Sequence, residues 1–302
     1  MLLETVPNVS EGEDEGAIAV IARAFSHRGC ELLDVHSDPD YGRSVFTLIG
    51  EPQQLADCLI AGAREVVERL DIHRHHGVHP CIGALDVVPV VYLRREDRDT
   101  ARDEALAVAN RVAGELDLPV FLYGELASDA DRSERAYFRE GGINQLAERM
   151  DSRELEPDFG PPRPHPTAGA TLVTARPPLV AFNFELDTKD VQKAKAIAAR
   201  VRERDGGLPG VRAIGVKLER QGAVELSTNV HDPFQVPLRK LAEVVRREAE
   251  RDGIEVVAAR LIGLAPAAAL DGFPEDLPLR DFDEQRHVLE NRLRPENRLR
   301  SG

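Results

Sequence analysis

Four of the nine histidines of this chain, His73, His75, His76 and His79, fall within one short stretch. Such crowding is unusual for residues that only fill a core. Imidazole titrates near neutral pH, so one of these side chains can transfer protons in a reaction. The plain alternative is a solvated loop in which most of them do nothing specific. The cluster is therefore the first candidate for an acid-base residue.

A metal site is a second interpretation of the same cluster, because imidazole is the commonest protein ligand for zinc. His75 and His79 stand four apart, a spacing that places two side chains on one side only in a helix. Gly77 and Pro80 break this segment, and it contains no glutamate as the HExxH arrangement would. The sequence therefore predicts no metal.

The elements that must position these histidines repeat along the chain. Apolar periodicity predicts the order strand, helix, strand, strand, helix, strand twice. The first copy comprises Leu2–Val6, Glu15–Ser26, Glu31–His36, Ser44–Ile49, Gln53–Leu70 and Ala84–Tyr92. The second comprises Leu179–Leu186, Asp190–Arg204, Val211–Leu218, Ala223–Asn229, Leu238–Asp252 and Val256–Ile262. This duplication predicts an α+β fold of two tandem ferredoxin-like (βαββαβ) subdomains, with helices packed on antiparallel sheets.

Between the two copies lies a segment of mixed character. Thr100–Leu116 reads as a helix and Val120–Tyr123 as a strand, whereas Ser128–Met150 is polar enough to be a helical or irregular surface extension. Pro157–Pro166, PDFGPPRPHP, contains five prolines and cannot be a helix or a central strand. It is predicted to be a linker or a binding loop.

Length and composition limit the class of protein. A chain of 302 residues exceeds one ordinary domain, and we place the boundary so that residues 1–168 and 169–302 form the two subdomains. Hydrophobic residues at 42% and charged residues at 30% are typical of a folded globular protein. A net charge of −14 opposes binding to nucleic acid or to a membrane surface, so an anionic ligand would need its own local arginines.

Three cysteines, Cys30, Cys58 and Cys81, form neither an even set nor a metal-finger spacing. They favour a reducing compartment over a disulfide framework. No basic stretch followed by a long apolar run opens the chain, and no run of about 18 apolar residues occurs in it. We therefore expect a cytoplasmic protein.

The stretch His76–Pro89, HGVHPCIGALDVVP, resembles the HGEHPRMGALDVCP signature of the formiminotransferase half of formiminotransferase-cyclodeaminase. The similarity continues in register from residue 4 to about residue 270. It is carried by Glu4–Gly12 (ETVPNVSEG), Arg43–Gly50 (RSVFTLIG), Pro119–Glu125 (PVFLYGE), Pro157–Pro161 (PDFGP), Gly169–Thr171 (GAT), Val180–Phe184 (VAFNF) and Leu226–Asn229 (LSTN). The two tandem ferredoxin-like subdomains of this family agree with the duplicated order of elements.

The resemblance implies a reaction. It implies transfer of a formimino group from N-formimino-L-glutamate to tetrahydrofolate, a step of histidine degradation and one-carbon metabolism, with tetrahydrofolate as co-substrate and no metal. The family's catalytic histidine falls on His79. One proton must be removed and one delivered, and a histidine whose pKa lies near 6.5 can do both in turn. No covalent intermediate is needed.

The resemblance also implies binding residues. The family's folate-binding loop, which lies between its two subdomains, corresponds to Gly160, Pro161, Pro162, Arg163, Pro164, His165, Pro166, Thr167, Ala168 and Gly169. Prolines stiffen such a loop and so lower the cost of ordering it around a ligand. Candidates for binding substrate carboxylates are Arg43, Arg74 and Arg176, since arginine pairs with carboxylates through two hydrogen bonds. Asp34 and Asp86 could orient an imidazole or the amidinium, but either carboxylate could equally be only solvated.

Three departures from the family's pattern bear on the substrate. Cys81 stands where the family has arginine, Ala168 where it has tryptophan, and Pro177 where it has lysine. Two alternatives therefore remain open: a related folate-dependent one-carbon transferase with an altered donor, and a non-catalytic folate-binding protein. The chain leaves no room for a cyclodeaminase domain, so the formimino-folate is expected to pass to a separate enzyme, and a homodimer is compatible with the resemblance.

Overall fold

The computed structural model describes residues 1–26 and 29–293. The end of the predicted second subdomain, residues 294–302, lies outside the described residues. Two compact units divide the chain between Pro177 and Pro178. No helix in the described ranges is both long and apolar enough to cross a membrane.

Among the residues that the structure describes, the first unit contains a mixed sheet and five α-helices. Its strands are β1 (Leu3–Thr5), β2 (Asn8–Val9), β3 (Glu31–Asp38), β4 (Arg43–Gly50), β5 (Leu85–Tyr92), β6 (Val120–Leu122) and β7 (Thr171–Arg176). Its helices are α1 (Glu15–Phe25), α2 (Pro52–Arg69), α3 (Arg98–Leu116), α4 (Arg135–Arg139) and α5 (Gly142–Asp151). Strands β1 and β2 lie between β4 and β5, and β3 pairs with the other side of β4, all antiparallel. Strand β7 pairs in parallel with both β5 and β6.

The second unit repeats the first four-strand arrangement. Its strands are β8 (Val180–Leu186), β9 (Val211–Leu218), β10 (Ala223–Val230) and β11 (Val256–Ile262), in the spatial order β11-β8-β10-β9. Its helices are α6 (Val191–Val201), α7 (Leu238–Glu250), α8 (Ala267–Leu270), α9 (Glu284–His287) and α10 (Leu289–Arg292). The corresponding strands of the first unit have the order β5, β1 with β2, β4, β3. The predicted α+β fold with a duplicated βαββαβ order is therefore confirmed.

The first sheet differs from the prediction beyond β5, where β7 and then β6 extend it. The predicted boundary at residue 168 placed Thr171–Arg176 in the second subdomain, whereas these residues form β7 of the first unit. Parallel pairing joins Val87 to Leu172 and Val91 to Arg176 across more than eighty residues of chain. The sheet of the first unit is thus not purely antiparallel, because β6 and β7 extend it.

Apolar side chains from one face of the first sheet form its main core with α1, α2 and α3. Phe46 and Leu48 of β4 are fully buried there with Ile21 and Phe25 of α1. Asp14 caps α1 by accepting a hydrogen bond from the backbone N–H of Ala17. Because strand side chains alternate between faces, Arg43 of β4 lies on the face opposite to these helices.

The opposite face of the first sheet carries both polar side chains and a smaller apolar cluster. Phe121 and Leu172 pack there with Phe138 of α4 and Leu146 of α5. Glu4, Asn8, Arg43 and Arg176 share this face, as the register of the paired strands requires. The first sheet therefore has an apolar helix-covered face and a second face that collects charged groups beside α4.

Candidate active site

The histidine segment begins directly after α2 with a short 3-10 turn, Ile72–Arg74. Asp71 caps this turn by accepting a hydrogen bond from the backbone N–H of His73. His73 and His76 are exposed, whereas His75 and His79 are partly buried. Two of the four histidines, His73 and His76, are thus solvated, whereas the side chains of His75 and His79 pack against the protein.

The turn between β3 and β4 holds this segment in place. Gly42 and Gly77 contact each other so closely that a Cβ atom on Gly77 would lie 2.1 Å from the carbonyl oxygen of Tyr41. The backbone N–H of Val78 donates to the carbonyl of Asp40 at 3.0 Å. This contact brings the Tyr41 ring to 6.5 Å from the His79 ring, between centroids. Glycine at position 77 is therefore a packing requirement for the placement of His79.

Asp86 reaches the same place through a β-bulge in β5. Asn8 pairs with Val87 and Val9 with Leu85, so one extra residue lies between them in β5. A bulge re-aims the side chain of the extra residue, here onto the face opposite to α1–α3. Asp86 is completely buried and accepts hydrogen bonds from the backbone N–H of Ile82 at 3.0 Å and from two arginines. The alternative that Asp86 is only solvated is therefore wrong.

Arg43 joins Asp86 to His79. Its Nη1 lies 2.8 Å from Asp86 Oδ2 and 3.0 Å from His79 Nδ1, and its Nε donates to Asn8 Oδ1 at 2.9 Å. Arginine can only donate, so His79 Nδ1 is the acceptor in this contact. A neutral imidazole that accepts at Nδ1 carries its proton on Nε2. The arrangement thus selects one tautomer of His79.

Burial and neighbouring charges decide how these groups ionise. Burial is the main cause that lowers the pKa of His79 well below 6.5, and the charges of Arg43 and Arg139 lower it further. Burial alone would raise the pKa of Asp86, but the charges of Arg139 and Arg43 outweigh it and hold that pKa below its usual range. A buried carboxylate thus faces a neutral imidazole at neutral pH. The expected pKa near 6.5 for His79 does not describe this arrangement.

Cys81 lies in the same surroundings, which favour the protonated form of its thiol. Burial, followed by the charge of Asp86, raises the pKa of the Cys81 thiol to about 11. The thiol therefore stays protonated at neutral pH, whereas the thiolate is the reactive form.

Two further arginines of the site lie on α4. Arg139 Nη2 donates to Asp86 Oδ2 at 2.5 Å, and Arg135 lies over the ring of Tyr123, 6.0 Å from its centroid. The sequence interpretation assigned both to a polar surface extension and missed them. Both lie on a helix of only five residues, which is too short to give a periodic signal in the sequence.

The proline-rich loop is fastened to the histidine segment within the first unit. The backbone N–H of Ile72 donates to the carbonyl of Thr167 at 2.8 Å, and His73 Nε2 donates to the carbonyl of Pro166 at 3.1 Å. His165 Nδ1 accepts from the backbone N–H of Ala168 at 3.0 Å, which closes the turn internally. The end of the loop therefore has a fixed position relative to the chain that leads to His79.

A close approach of two backbones completes this attachment. Ala84 N–H donates to the carbonyl of Ala168 at 2.9 Å, and Gly83 pairs with Gly169. A Cβ atom on Gly83 would lie 2.0 Å from the carbonyl oxygen of Ala170, so only glycine fits at this position.

The remaining predicted carboxylate partners differ in placement. Arg176 is partly buried and donates to the carbonyl of Pro177 at 2.9 Å, while burial lowers its pKa. Arg74 and Arg163 are exposed. Within residues 1–26 and 29–293, no three histidine, cysteine, aspartate or glutamate side chains come together in a way that could hold a metal ion.

Two models of known protein domains match this chain. The model of the formiminotransferase domain, N-terminal subdomain, matches residues 2–176, and that of the formiminotransferase domain matches residues 181–273. The chain belongs to the formiminotransferase family. The two matches end and begin on either side of the division between the two units.

Curated relatives cover nearly the whole chain. The formiminotransferase-family chain is 38% identical to the glutamate formimidoyltransferase of Streptococcus pyogenes serotype M1, over 97% of this chain and 98% of that protein. It is 36% identical to the glutamate formimidoyltransferase of Thermoplasma acidophilum, over 97% of each. The formimidoyltransferase-cyclodeaminase of Sus scrofa is 39% identical over 89% of this chain, but the match spans only 51% of that protein.

Proposed function

We propose that this enzyme transfers the formimino group of N-formimino-L-glutamate to tetrahydrofolate, with His79 as the acid-base residue. Membership of the formiminotransferase family supports the reaction class, and relatives named glutamate formimidoyltransferase cover the chain almost completely. The observation that carries the proposal is that hydrogen bonds bring His79, Arg43 and Asp86 together, so that an imidazole lies beside a guanidinium that can bind a carboxylate. Tetrahydrofolate enters as a co-substrate.

The reaction moves one proton between two nitrogens. N5 of tetrahydrofolate attacks the formimino carbon, which gives a tetrahedral intermediate. The bond from that carbon to the glutamate nitrogen then breaks, N5 loses its proton and the departing nitrogen gains one. No oxidant, reductant or covalent enzyme intermediate is required, so one side chain that gives and takes a proton suffices.

His79 can donate a proton from Nε2 and later accept one there only when its Nδ1 also carries a proton. Arg43 opposes that state, because its guanidinium donates to Nδ1 and its charge lowers the pKa of His79. A substrate carboxylate that binds Arg43 would draw the guanidinium from Nδ1 and add a negative charge nearby. Donor binding then raises the pKa of His79 toward neutrality, so that Nε2–H can protonate the leaving nitrogen and afterwards accept the N5 proton. In this series of steps Arg43 binds a substrate carboxylate, which is the role predicted for it.

The proline-rich loop supplies the folate contacts in this proposal. Its attachment through Thr167 and Ala168 to the segment that carries His79 supports a shared ligand. Reacting atoms must approach within about 3–3.5 Å, so the loop and the acid-base residue must keep a fixed geometry. The exposed guanidinium of Arg163 is then free to meet a carboxylate of the folate tail.

The proposal includes a cytoplasmic location, since an odd number of cysteines favours a reducing compartment over a disulfide framework. It also includes a separate cyclodeaminase that takes the product, since the streptococcal relative, matched over 98% of its length, is named for transfer alone.

The test is to incubate the purified protein with N-formimino-L-glutamate and tetrahydrofolate and to follow both L-glutamate and 5-formimino-tetrahydrofolate. Equal amounts of the two products support the proposal. Folate binding without release of L-glutamate from this donor, but with turnover of another formimino or formyl compound, would favour the altered-donor alternative. Folate binding without any turnover would favour the binding protein.

A further inference from the structure

The start of the proline-rich loop lies along the outer edge of β6. Within residues 1–26 and 29–293, β6 is the last strand of the first sheet, with β7 on its other side. At the outer edge, the backbone N–H of Val120 donates to the carbonyl of Phe159 at 2.9 Å. The carbonyl of Val120 in turn accepts from the backbone N–H of Asp158 at 2.9 Å. The loop therefore continues the sheet for a short distance before its run of prolines begins.

The side chain of Asp158 takes over where this backbone pairing ends. Val120 and Leu122 are two residues apart in β6, so their N–H groups point to the same edge of the sheet. The backbone N–H of Leu122 donates to Asp158 Oδ2 at 2.7 Å. A carboxylate thus stands in for a strand partner at an edge that would otherwise present an unpaired donor.

The same carboxylate oxygen also binds Arg132. Arg132 Nη2 lies 2.6 Å from Asp158 Oδ2, and the two side chains are only 16% and 17% exposed. This nitrogen also donates to the carbonyl of Glu156 at 3.2 Å. The guanidinium lies over the rings of Phe121 and Phe138, 5.9 and 5.5 Å from their centroids. Arg132 therefore joins the start of the loop to β6 and to α4.

Both ends of the proline-rich loop are thus fastened within the first unit. Asp158 fastens the start, and Thr167 and Ala168 fasten the end to the chain that leads to His79. Between these anchors lie residues 160–166, of which four are prolines. Proline fixes one backbone angle, so this stretch has few conformations in which to absorb a displaced end. A shift of the start should therefore move the loop as a whole.

We propose that Asp158, held by Arg132, is a positioning residue that sets the place of the proline-rich loop and thereby the affinity for tetrahydrofolate. The inference rests on the proposed function, which assigns this loop to folate. A loop that is ordered before the ligand arrives binds it more tightly, because binding no longer has to order the loop. Asp158 acts through the loop and takes no part in proton transfer at His79. Its loss should therefore weaken folate binding and leave the transfer step intact.

The test measures the dissociation constant of tetrahydrofolate by calorimetry, and kcat at saturating concentrations of both substrates. Asp158→Asn keeps the size of the side chain but removes the charge that pairs with Arg132. We expect tetrahydrofolate to bind this variant about 10-fold more weakly, with kcat and the KM for the donor changed by less than about twofold. Arg132→Gln should also weaken binding, and Arg132→Lys, which keeps the charge, should weaken it less. The double variant Asp158→Asn/Arg132→Gln should bind about as weakly as Asp158→Asn alone, because both substitutions break one pair.

The matched control is Asp57→Asn, which removes the aspartate of another ion pair in the first unit. Arg111 Nη1 lies 2.8 Å from Asp57 Oδ1, and this pair joins α2 to α3 away from the loop. The control should bind tetrahydrofolate as tightly as wild type. Thermal melting checks that each variant is folded, and Arg132→Lys keeps the inference testable if Arg132→Gln is not.

The two proposals fail in different ways. If Asp158→Asn binds tetrahydrofolate as tightly as wild type, the inference is overturned whatever the melting temperature, because the pair then serves stability alone. A fall in kcat as large as the loss of binding would also overturn it, since Asp158 would then act on the chemical step. A wild type that binds no tetrahydrofolate would overturn the proposed function itself, and this inference with it.

Discussion

Arg43 and His79 share a hydrogen bond of 3.0 Å in which the arginine is the donor and Nδ1 the acceptor. The contact joins two segments that lie far apart in sequence, the start of β4 and the histidine cluster. Because the guanidinium donates to Nδ1, it opposes protonation of His79 at that atom. The same Nη1 also donates to Asp86. Removal of Arg43 should therefore change the titration of His79 as well as substrate binding.

The pH dependence of His79 follows from this contact. Burial and then the charge of Arg43 lower its pKa, so the imidazole should remain neutral as the pH falls through 6.5 and take up a proton only at lower pH. Arg43→Gln removes one cation and should raise the pKa of His79. NMR titration of the His79 ring proton in the wild type and in Arg43→Gln measures both values. A wild-type midpoint at or above 6.5 would contradict the proposed electrostatics.

Asp86 should be essential for stability because it separates two buried cations. Asp86→Asn leaves Arg43 and Arg139 without their shared counter-charge, and loss of one partner of a buried ion pair costs about 3–5 kcal/mol. The matched control is Asp276→Asn, which breaks an exposed pair with Arg246 and should cost less than about 1 kcal/mol. Urea unfolding at neutral pH measures both, and equal losses would show that the Asp86 pairs contribute no more than a surface contact.

The low pKa of Asp86 also sets a pH range for its contribution. The carboxylate has a lower pKa in the folded protein than the value of about 3.9 expected when unfolded. Its stabilisation is therefore present above that value and lost as the pH falls toward the folded-state pKa. Below about pH 4 the free energy of unfolding should thus fall more steeply in wild type than in Asp86→Asn, which has no carboxyl group to titrate.

Gly83→Ala should loosen the proline-rich loop. The new Cβ would lie 2.0 Å from the carbonyl oxygen of Ala170 and 2.5 Å from that of Ala168, so the two backbones must separate. We expect a loss of about 1–3 kcal/mol in stability and a higher KM for tetrahydrofolate. Gly114→Ala, on the exposed side of α3 with no atom within 4 Å, should instead stabilise the protein by about 0.5–1 kcal/mol. If Gly83→Ala is destabilised but its KM for tetrahydrofolate is unchanged, the proline-rich loop does not contribute to folate binding.

The sequence predicted the local elements of the fold better than their long-range pairing. The periodicity of apolar residues predicted β3, β4 and α2 directly, and the repeated order of elements identified the duplication. Thr171–Arg176 was assigned to the wrong side of the boundary, because its parallel pairing with β5 depends on contacts across the long connection through α3 and β6. Parallel partners cannot be read from a short strand by itself.

The site was predicted only where family motifs mark it. The resemblance drew attention to His79, Arg43 and Asp86, which the structure brings together, and Asn8 joins them from another similar segment. Arg135 and Arg139 lie on a helix of five residues in a polar stretch without a motif. Their role depends on how α4 packs onto the sheet, and this tertiary contact leaves no periodic signal in so short a helix.

The central claim concerns His79, and its most direct test is the rate of formimino transfer at saturating donor and tetrahydrofolate in His79→Gln. The proposal predicts that kcat falls by about 10²–10⁴, while the dissociation constant for tetrahydrofolate and the melting temperature remain close to wild type. His76→Gln, an exposed histidine three residues earlier, should leave kcat unchanged. A His79→Gln protein that transfers the formimino group as fast as wild type would contradict the assignment of His79 as the acid-base residue.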